Sequence, residues 1–150
     1  MKLIVISGAR NSKKSLLAQR LSDRLDCLWI KPYSNRKVPI NAEPQTDFIV
    51  LNDRQLNDKL EREESLAETI ANGNRYIYFK NQLKGDYTVI TGDDSIILSA
   101  THNWDGDIAT VICHSKDEKP SVRSLMGDDE FDYTFNYESD DFDAFVEMIR

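Results

Sequence analysis

Residues 2–25 constrain the fold more than any other stretch of this chain. Leu3-Ile4-Val5-Ile6 is an unbroken apolar run, mostly β-branched, and it stops at Ser7-Gly8. A short apolar run closed by glycine reads as a strand, over Lys2–Ser7, buried on both faces. Beyond a polar loop, Leu17, Leu21 and Leu25 recur at i, i+4 and i+8 while Arg20 and Arg24 point elsewhere. Lys13–Leu25 therefore reads as a helix with one apolar face. A doubly buried strand that feeds a helix calls for a sheet covered by helices.

The rest of the chain repeats that alternation. Cys27–Lys31 reads as a short strand, and a polar segment punctuated by Pro32, Pro39 and Pro44 runs on through Thr46. Phe48–Leu51 reads as a strand. Asn52 caps a helix from Asp53, with Gln55 as its capping-box partner and Leu56 and Leu60 on its apolar edge. Asn72-Gly73 marks a turn before strands at Arg75–Phe79 and Tyr87–Thr91. After Gly92-Asp93-Asp94, the run Ser95–Ala100 suits a helix begun by Asp94 or Ser95, or the second arm of a hairpin; the helix is preferred. Ile108–Cys113 is a buried strand, Pro120–Met126 a short helix and Tyr133–Phe135 a last strand. Phe142, Phe145, Val146 and Ile149, at i, i+3, i+4 and i+7, define the closing helix. The expected class is α/β: a mainly parallel sheet with helices on both faces.

A length of 150 residues fits one domain, with no repeat or Pro/Gly/Ser-rich linker dividing it. Recurrent apolar runs exclude disorder. No run approaches the ~18 residues of a membrane-spanning helix, and Met1–Ser7 is too short an apolar run for a signal peptide. Cys27 and Cys113 sit in apolar runs without CxxC spacing, which reads as buried free thiols of a cytoplasmic protein. The net charge of −7 hides a division. Residues 1–40 hold nine Lys/Arg against two acids, net +7, whereas residues 101–150 hold four against thirteen, net −9. The acidic total speaks against nucleic acid as a partner, and the basic first quarter suits a small anionic ligand.

The loop after the first strand carries the chemistry. Gly8-Ala9-Arg10-Asn11-Ser12-Lys13-Lys14-Ser15 matches the phosphate-binding pattern G-x-x-x-x-G-K-[ST] at three of its four fixed positions. Gly8 lets the backbone leave the strand so that successive N–H groups face phosphate oxygens, and the new helix adds its positive end. Lys14 would reach the β- and γ-phosphates and the Ser15 hydroxyl would ligate magnesium. At the fourth position Lys13 replaces a glycine that permits positive φ and close approach. The competing reading is a helix capped by Ser12 with a basic first turn, but lysines at a helix start oppose the macrodipole and call for an anion there.

Taken together, these residues resemble the guanylate kinase family, which transfers the γ-phosphoryl of ATP to GMP. Residues 3–21 are similar to that family's first strand, P-loop and helix. Tyr33-Ser34-Asn35-Arg36 falls where the family carries a Ser/Thr-Thr-Arg motif whose arginine holds the GMP phosphate. Thr46-Asp47-Phe48-Ile49-Val50 resembles its Asp-Tyr-x-Phe-Val segment, Asn52–Leu60 the helix that follows, and Gly73-Asn74-Arg75-Tyr76 its Gly-Asn-Tyr-Tyr, whose second tyrosine contacts the same phosphate. The stretch from Phe131 to Tyr137 resembles the Tyr-Asp-Tyr-x-x-x-Asn before the family's last helix. The similarity runs in order over nearly the whole chain.

The departures are equally specific. Pro39 stands where a second phosphate-clamping arginine belongs, and Phe48 keeps a ring but loses the hydroxyl. The glutamate that reads guanine aligns with Ala67, and Glu68 is one residue away; Asp93 or Asp94 represents the family's Asp-x-Asp. Nineteen residues separate Cys113 from Tyr133, too few for the family's pair of lid helices, and Arg123 is the only arginine among them.

The resemblance implies a nucleoside monophosphate kinase-like P-loop domain, with core 1–31 and 87–150, an acceptor-binding insertion at about 32–86 and almost no lid. It implies an enzyme of reduced activity that uses ATP and Mg²⁺, with GMP as acceptor. Gly8, Asn11, Ser12, Lys13, Lys14 and Ser15 would hold the nucleotide, Ser15 the metal, and Ser34, Arg36, Phe48, Tyr76 and Asp93 the acceptor. Lys14 would act in catalysis, and Arg10 would restore charge that the missing lid fails to supply. The alternative is a non-catalytic module that binds a phosphorylated or anionic protein partner; retention of Lys14-Ser15 argues against it. His102 and His114 lack partners at metal or triad spacing and read as surface or strand-end residues. The acids at 128–130 and 140–143 read as solvated surface.

Overall fold

The computed structural model describes residues 1–39, 47–119 and 126–150. In chain order its elements are β1 (Lys2–Ser7), α1 (Lys14–Leu25), β2 (Leu28–Trp29), β3 (Tyr33–Ser34), β4 (Ile49–Val50), α2 (Asp53–Arg62), β5 (Ser65–Ala71), β6 (Asn74–Phe79), β7 (Tyr87–Thr91), α3 (Asp94–Asn103), β8 (Asp107–His114), β9 (Tyr133–Asn136) and α4 (Phe142–Ile149). The helix expected from Pro120, with Arg123 in it, and residues Pro44 and Thr46 lie outside the described residues.

β1 is the middle strand of a five-stranded parallel sheet ordered β2-β7-β1-β8-β9. Alternate side chains of a strand face opposite ways, and here both faces are apolar. Ile4 and Ile6 pack with Leu17 and Leu21 of α1 and with Phe145, Val146 and Ile149 of α4. Leu3 and Val5 pack on the other side with Ile96, Ile97 and Ala100 of α3. This is the doubly covered α/β sheet that an unbroken apolar run requires.

A second, four-stranded sheet is ordered β4-β3-β6-β5, with β3 parallel to β4 and antiparallel to β6. Tyr33, Ile77 and Phe79 on one of its faces meet Leu56 and Leu60 of α2. From its other face Tyr78 reaches across to the first sheet, where its buried hydroxyl donates to the Thr91 carbonyl at 2.7 Å. Leu66 and Ala67 of β5 join the α3 side of the main core. The two sheets thus share that core.

Local chemistry explains the boundaries. Asn52 and Gln55 form the expected capping box, with bonds of 2.8 and 2.9 Å. Asp93 caps α3 by accepting from the Ile96 N–H at 3.2 Å, which settles the segment after Gly92 as a helix. Asp141 caps α4 through the N–H groups of Asp143 and Ala144. Residue Ser12 does not cap α1; that position is Lys13, in a left-handed conformation and without a capping side chain.

Candidate functional site

The chain leaves β1 through a loop that leaves Gly8 no room for a side chain. A Cβ there would lie 2.3 Å from Ser12 Oγ and 2.7 Å from the Cys113 carbonyl oxygen. Ser12 is folded under the loop, buried, with its hydroxyl lacking a hydrogen-bond partner among the described residues. Its N–H donates to the Ala9 carbonyl at 3.1 Å. The end of β8 anchors the turn from below: Cys113 Sγ donates to the Ser12 carbonyl at 3.1 Å, and the hydroxyl of Ser115, just past the strand, donates to the Asn11 carbonyl. Burial pushes the Cys113 thiol up to about 12, so it serves as packing and not as a nucleophile.

Asn11 and Lys13 both have positive φ, 63° and 65°. Asparagine tolerates this region, whereas lysine does so only against a steric penalty. Lys13 therefore takes up the backbone conformation that glycine adopts freely. Left-handed residues beside right-handed ones are the backbone pattern of anion-binding turns, and these two stand just before the N-terminus of α1, where the helix dipole favours negative charge.

Lys14 is half-buried, and its ammonium donates to the Gly8 carbonyl at 3.0 Å. Burial lowers its pKa, while the nearby Asp93 carboxylate works the other way. Lys13 turns to carboxylates: its ammonium is 2.7 Å from Glu138 and 3.6 Å from Asp117, and 5.2 Å from the Tyr137 ring centroid. Those bonds to Glu138 and Asp117 outweigh burial and raise its pKa. Exposed ion pairs of this kind stabilise little, so they offset only part of the cost of holding lysine left-handed. Ser15 is exposed at the start of α1. Ala9 and the residues from Asn11 to Leu16, closed on one side by Asp117, line an open cavity of ≈ 530 Å³, with Arg10 outside its lining. Arg10 is exposed, and its carbonyl accepts from the Lys119 N–H at 2.8 Å.

The other expected residues gather on the face of the second sheet opposite α2. Ser34 on β3 is directly across from Tyr76 on β6, and Tyr76 from Thr69 on β5. Ser34 is buried and accepts the Arg36 N–H at 3.1 Å. The Arg36 guanidinium lies 5.6 Å from the Phe48 ring centroid, and Phe48 meets Tyr76 edge-on at 5.9 Å. Asp93 joins the two groups. It accepts from the Thr69 hydroxyl at 2.7 Å while capping α3, and its charge acts on Lys14.

Glu68 is not part of this face. A register shift between Ser65 and Ala67 puts Glu68 opposite Ile77, on the α2 side, where the Arg75 guanidinium holds it at 2.7 Å. A one-residue slip exchanges the faces of a strand, and here Ala67 and Thr69, opposite Tyr78 and Tyr76, share the face that Glu68 leaves. Thr69, Asp117 and Glu138 had no signal in the sequence: the first is hidden by the bulge, the others are distant acids among many. His114 is the strand-end residue expected, the last of β8, and its ring meets two carboxylates: Nδ1 lies 3.0 Å from Glu118 and Nε2 2.9 Å from Asp128.

Among the described residues no group of three or more His, Cys, Asp or Glu is placed to hold a metal ion, and no helix is long and apolar enough to cross a membrane. Both cysteines are free.

No family model and no curated protein matches this chain. Among solved structures it is similar to the crystal structure of guanylate kinase from Anaplasma phagocytophilum, with a TM-score of 0.66 and 14% identity over 98% of this chain and 81% of that one. At that identity the likeness is one of fold. The chain has a guanylate-kinase-like α/β fold.

Proposed function

We propose that the β1–α1 loop is a phosphate-binding P-loop and that the protein binds ATP with Mg²⁺ and transfers the γ-phosphoryl, slowly, to a nucleoside monophosphate, GMP being the first candidate. The observation that carries this reading is the loop itself. Gly8 is excluded from bearing a Cβ, a non-glycine residue is held left-handed just before α1, and a half-buried lysine is parked on a carbonyl. A polyanion is a better partner for Lys14 than that carbonyl, because charge-assisted bonds to phosphate are the stronger kind.

The residues fit the group. Loop N–H groups and Lys14 would take the β- and γ-phosphate oxygens, and Ser15 would contribute one hydroxyl to a magnesium ion otherwise held by phosphates and water, as this ion prefers. The metal would supply neutralisation of the phosphate charge. Ser34, Arg36 and Tyr76, braced by Phe48, would hold the acceptor phosphate on the facing sheet. Asp93, tied to Thr69, would keep the two halves in register.

Positive charge beside the transferring phosphoryl is worth about 10³–10⁵ in rate when an arginine supplies it. Here Arg10 is the candidate in the loop, so turnover below the ~1–100 s⁻¹ of typical kinases is expected. A coupled assay with ATP and GMP tests this. Turnover in the ordinary range that Arg10→Ala abolishes would mean that the loop does the lid's work and that the expectation of slow transfer is wrong. Binding without any transfer would favour the alternative module, in which the Ser34–Arg36–Tyr76 face takes a phosphorylated protein.

A further inference from the structure

Lys13 is held by two carboxylates that lie outside every role assigned above. Glu138, just after β9, contacts its ammonium at 2.7 Å through Oε1, while Oε2 accepts the Lys116 N–H at 3.2 Å. Asp117 contacts the same ammonium at 3.6 Å and also lines the loop cavity. Both carboxylates are solvent-accessible, so the contacts break at small cost. Lys13 itself lines that cavity from a backbone position that disfavours any side chain. The contacts to Glu138 and Asp117 are too weak to account for a lysine there. A polyphosphate in the cavity, carrying several charges against the single charge of each carboxylate, is the stronger partner for the same ammonium.

We propose that Glu138 and Asp117 hold Lys13 in reserve as exchangeable counter-ions, and that a polyphosphate entering the loop takes the ammonium from them. Glu138 and Asp117 thereby set the affinity of the loop: every anion that takes the ammonium bears the loss of the Lys13 pair. This inference rests on the reading of the loop as a phosphate site and adds its regulation.

The test is binding of inorganic tripolyphosphate and of ATP–Mg²⁺, by calorimetry, to wild type, Glu138→Gln, Lys13→Gly and the double variant. Glutamine keeps an oxygen for the Lys116 N–H, and a thermal midpoint for each variant confirms folding. Glu138→Gln should tighten tripolyphosphate binding roughly fivefold, about the size of one screened charge contact. Lys13→Gly should weaken it by a similar factor although it relieves the backbone. In the Lys13→Gly background, Glu138→Gln should change almost nothing. Should the glutamine variant bind no more tightly, or gain as much without Lys13 as with it, the exchange is refuted and Glu138 acts only through the general field. Asp117→Asn, read the same way, covers a failure of Glu138→Gln to fold. Absence of binding by wild type as well would refute the phosphate site and the exchange together, a result distinct from normal binding with no Glu138 effect.

Discussion

A lysine loses favour for its charge when water is removed, and Lys14 sits with its ammonium against the Gly8 carbonyl under that penalty. The loop is built around this position by Gly8, whose missing side chain admits Ser12 and the end of β8. Gly8→Ala should destabilise the fold by about 1–3 kcal/mol, the range for overpacking a filled site; denaturant unfolding measures it, and an unchanged midpoint would show that the loop yields easily. His114 makes a second residue-level test. Burial opposes its charge, but the bonds to Glu118 and Asp128 prevail and raise its pKa. A raised value in the folded state means that the stabilisation is complete below the unfolded pKa of about 6.5 and is lost as pH climbs through the higher folded value. Thermal midpoints should therefore fall between pH 6 and pH 8 in wild type, with that fall reduced in His114→Asn. Equal pH dependence in both proteins would exclude His114 as its source.

α3 begins where a hairpin was a competing reading, and the deciding group is the Asp93 side chain. Asp93→Ala should cost about 1 kcal/mol, while Asp93→Asn, which caps as well, should cost much less. Equal losses would assign the effect to the charge beside Lys14. The elements most open to sequence reasoning were those with a strong local pattern: β1 from its apolar run, α4 from its spacing, α2 from its capping box. β5 was missed because the shift at Ser65–Ala67 breaks the two-residue period on which a strand is recognised. Its hairpin with β6 nevertheless closes at the Asn72-Gly73 turn read from sequence, with φ of 52° and 78°, the left-handed pair that suits a two-residue hairpin. β4 falls inside the strand read at Phe48–Leu51, whereas β3, two residues long, owes its place to pairing partners far along the chain. The site divides in the same way. The loop residues from Gly8 to Ser15 are contiguous and therefore legible. The placing of Thr69 beside Asp93 and of Glu138 against Lys13 depends on tertiary structure alone.

The division of charge along the sequence turns out to be partly internal. The basic first quarter and the acidic last third meet across the α1–α4 side of the molecule: Lys13 pairs with Glu138, Arg24 with Asp143 at 2.5 Å, and the Lys2 ammonium donates to the Ile149 carbonyl at 2.8 Å. These contacts are exposed or half-exposed, so raising the salt should change stability little while weakening polyanion binding at the loop, where several charges act together. Equal sensitivity of both would place the ion pairs, not the loop, at the centre of the electrostatics. The claim on which the rest depends is that Lys14 and the loop around it bind phosphate. Calorimetric titration with ATP–Mg²⁺ of wild type and Lys14→Ala measures it directly. Saturable one-site binding to wild type, weakened at least several-fold by Lys14→Ala with the ligand-free thermal midpoint nearly unchanged, is the predicted result; equal and weak heats from the two proteins would contradict it.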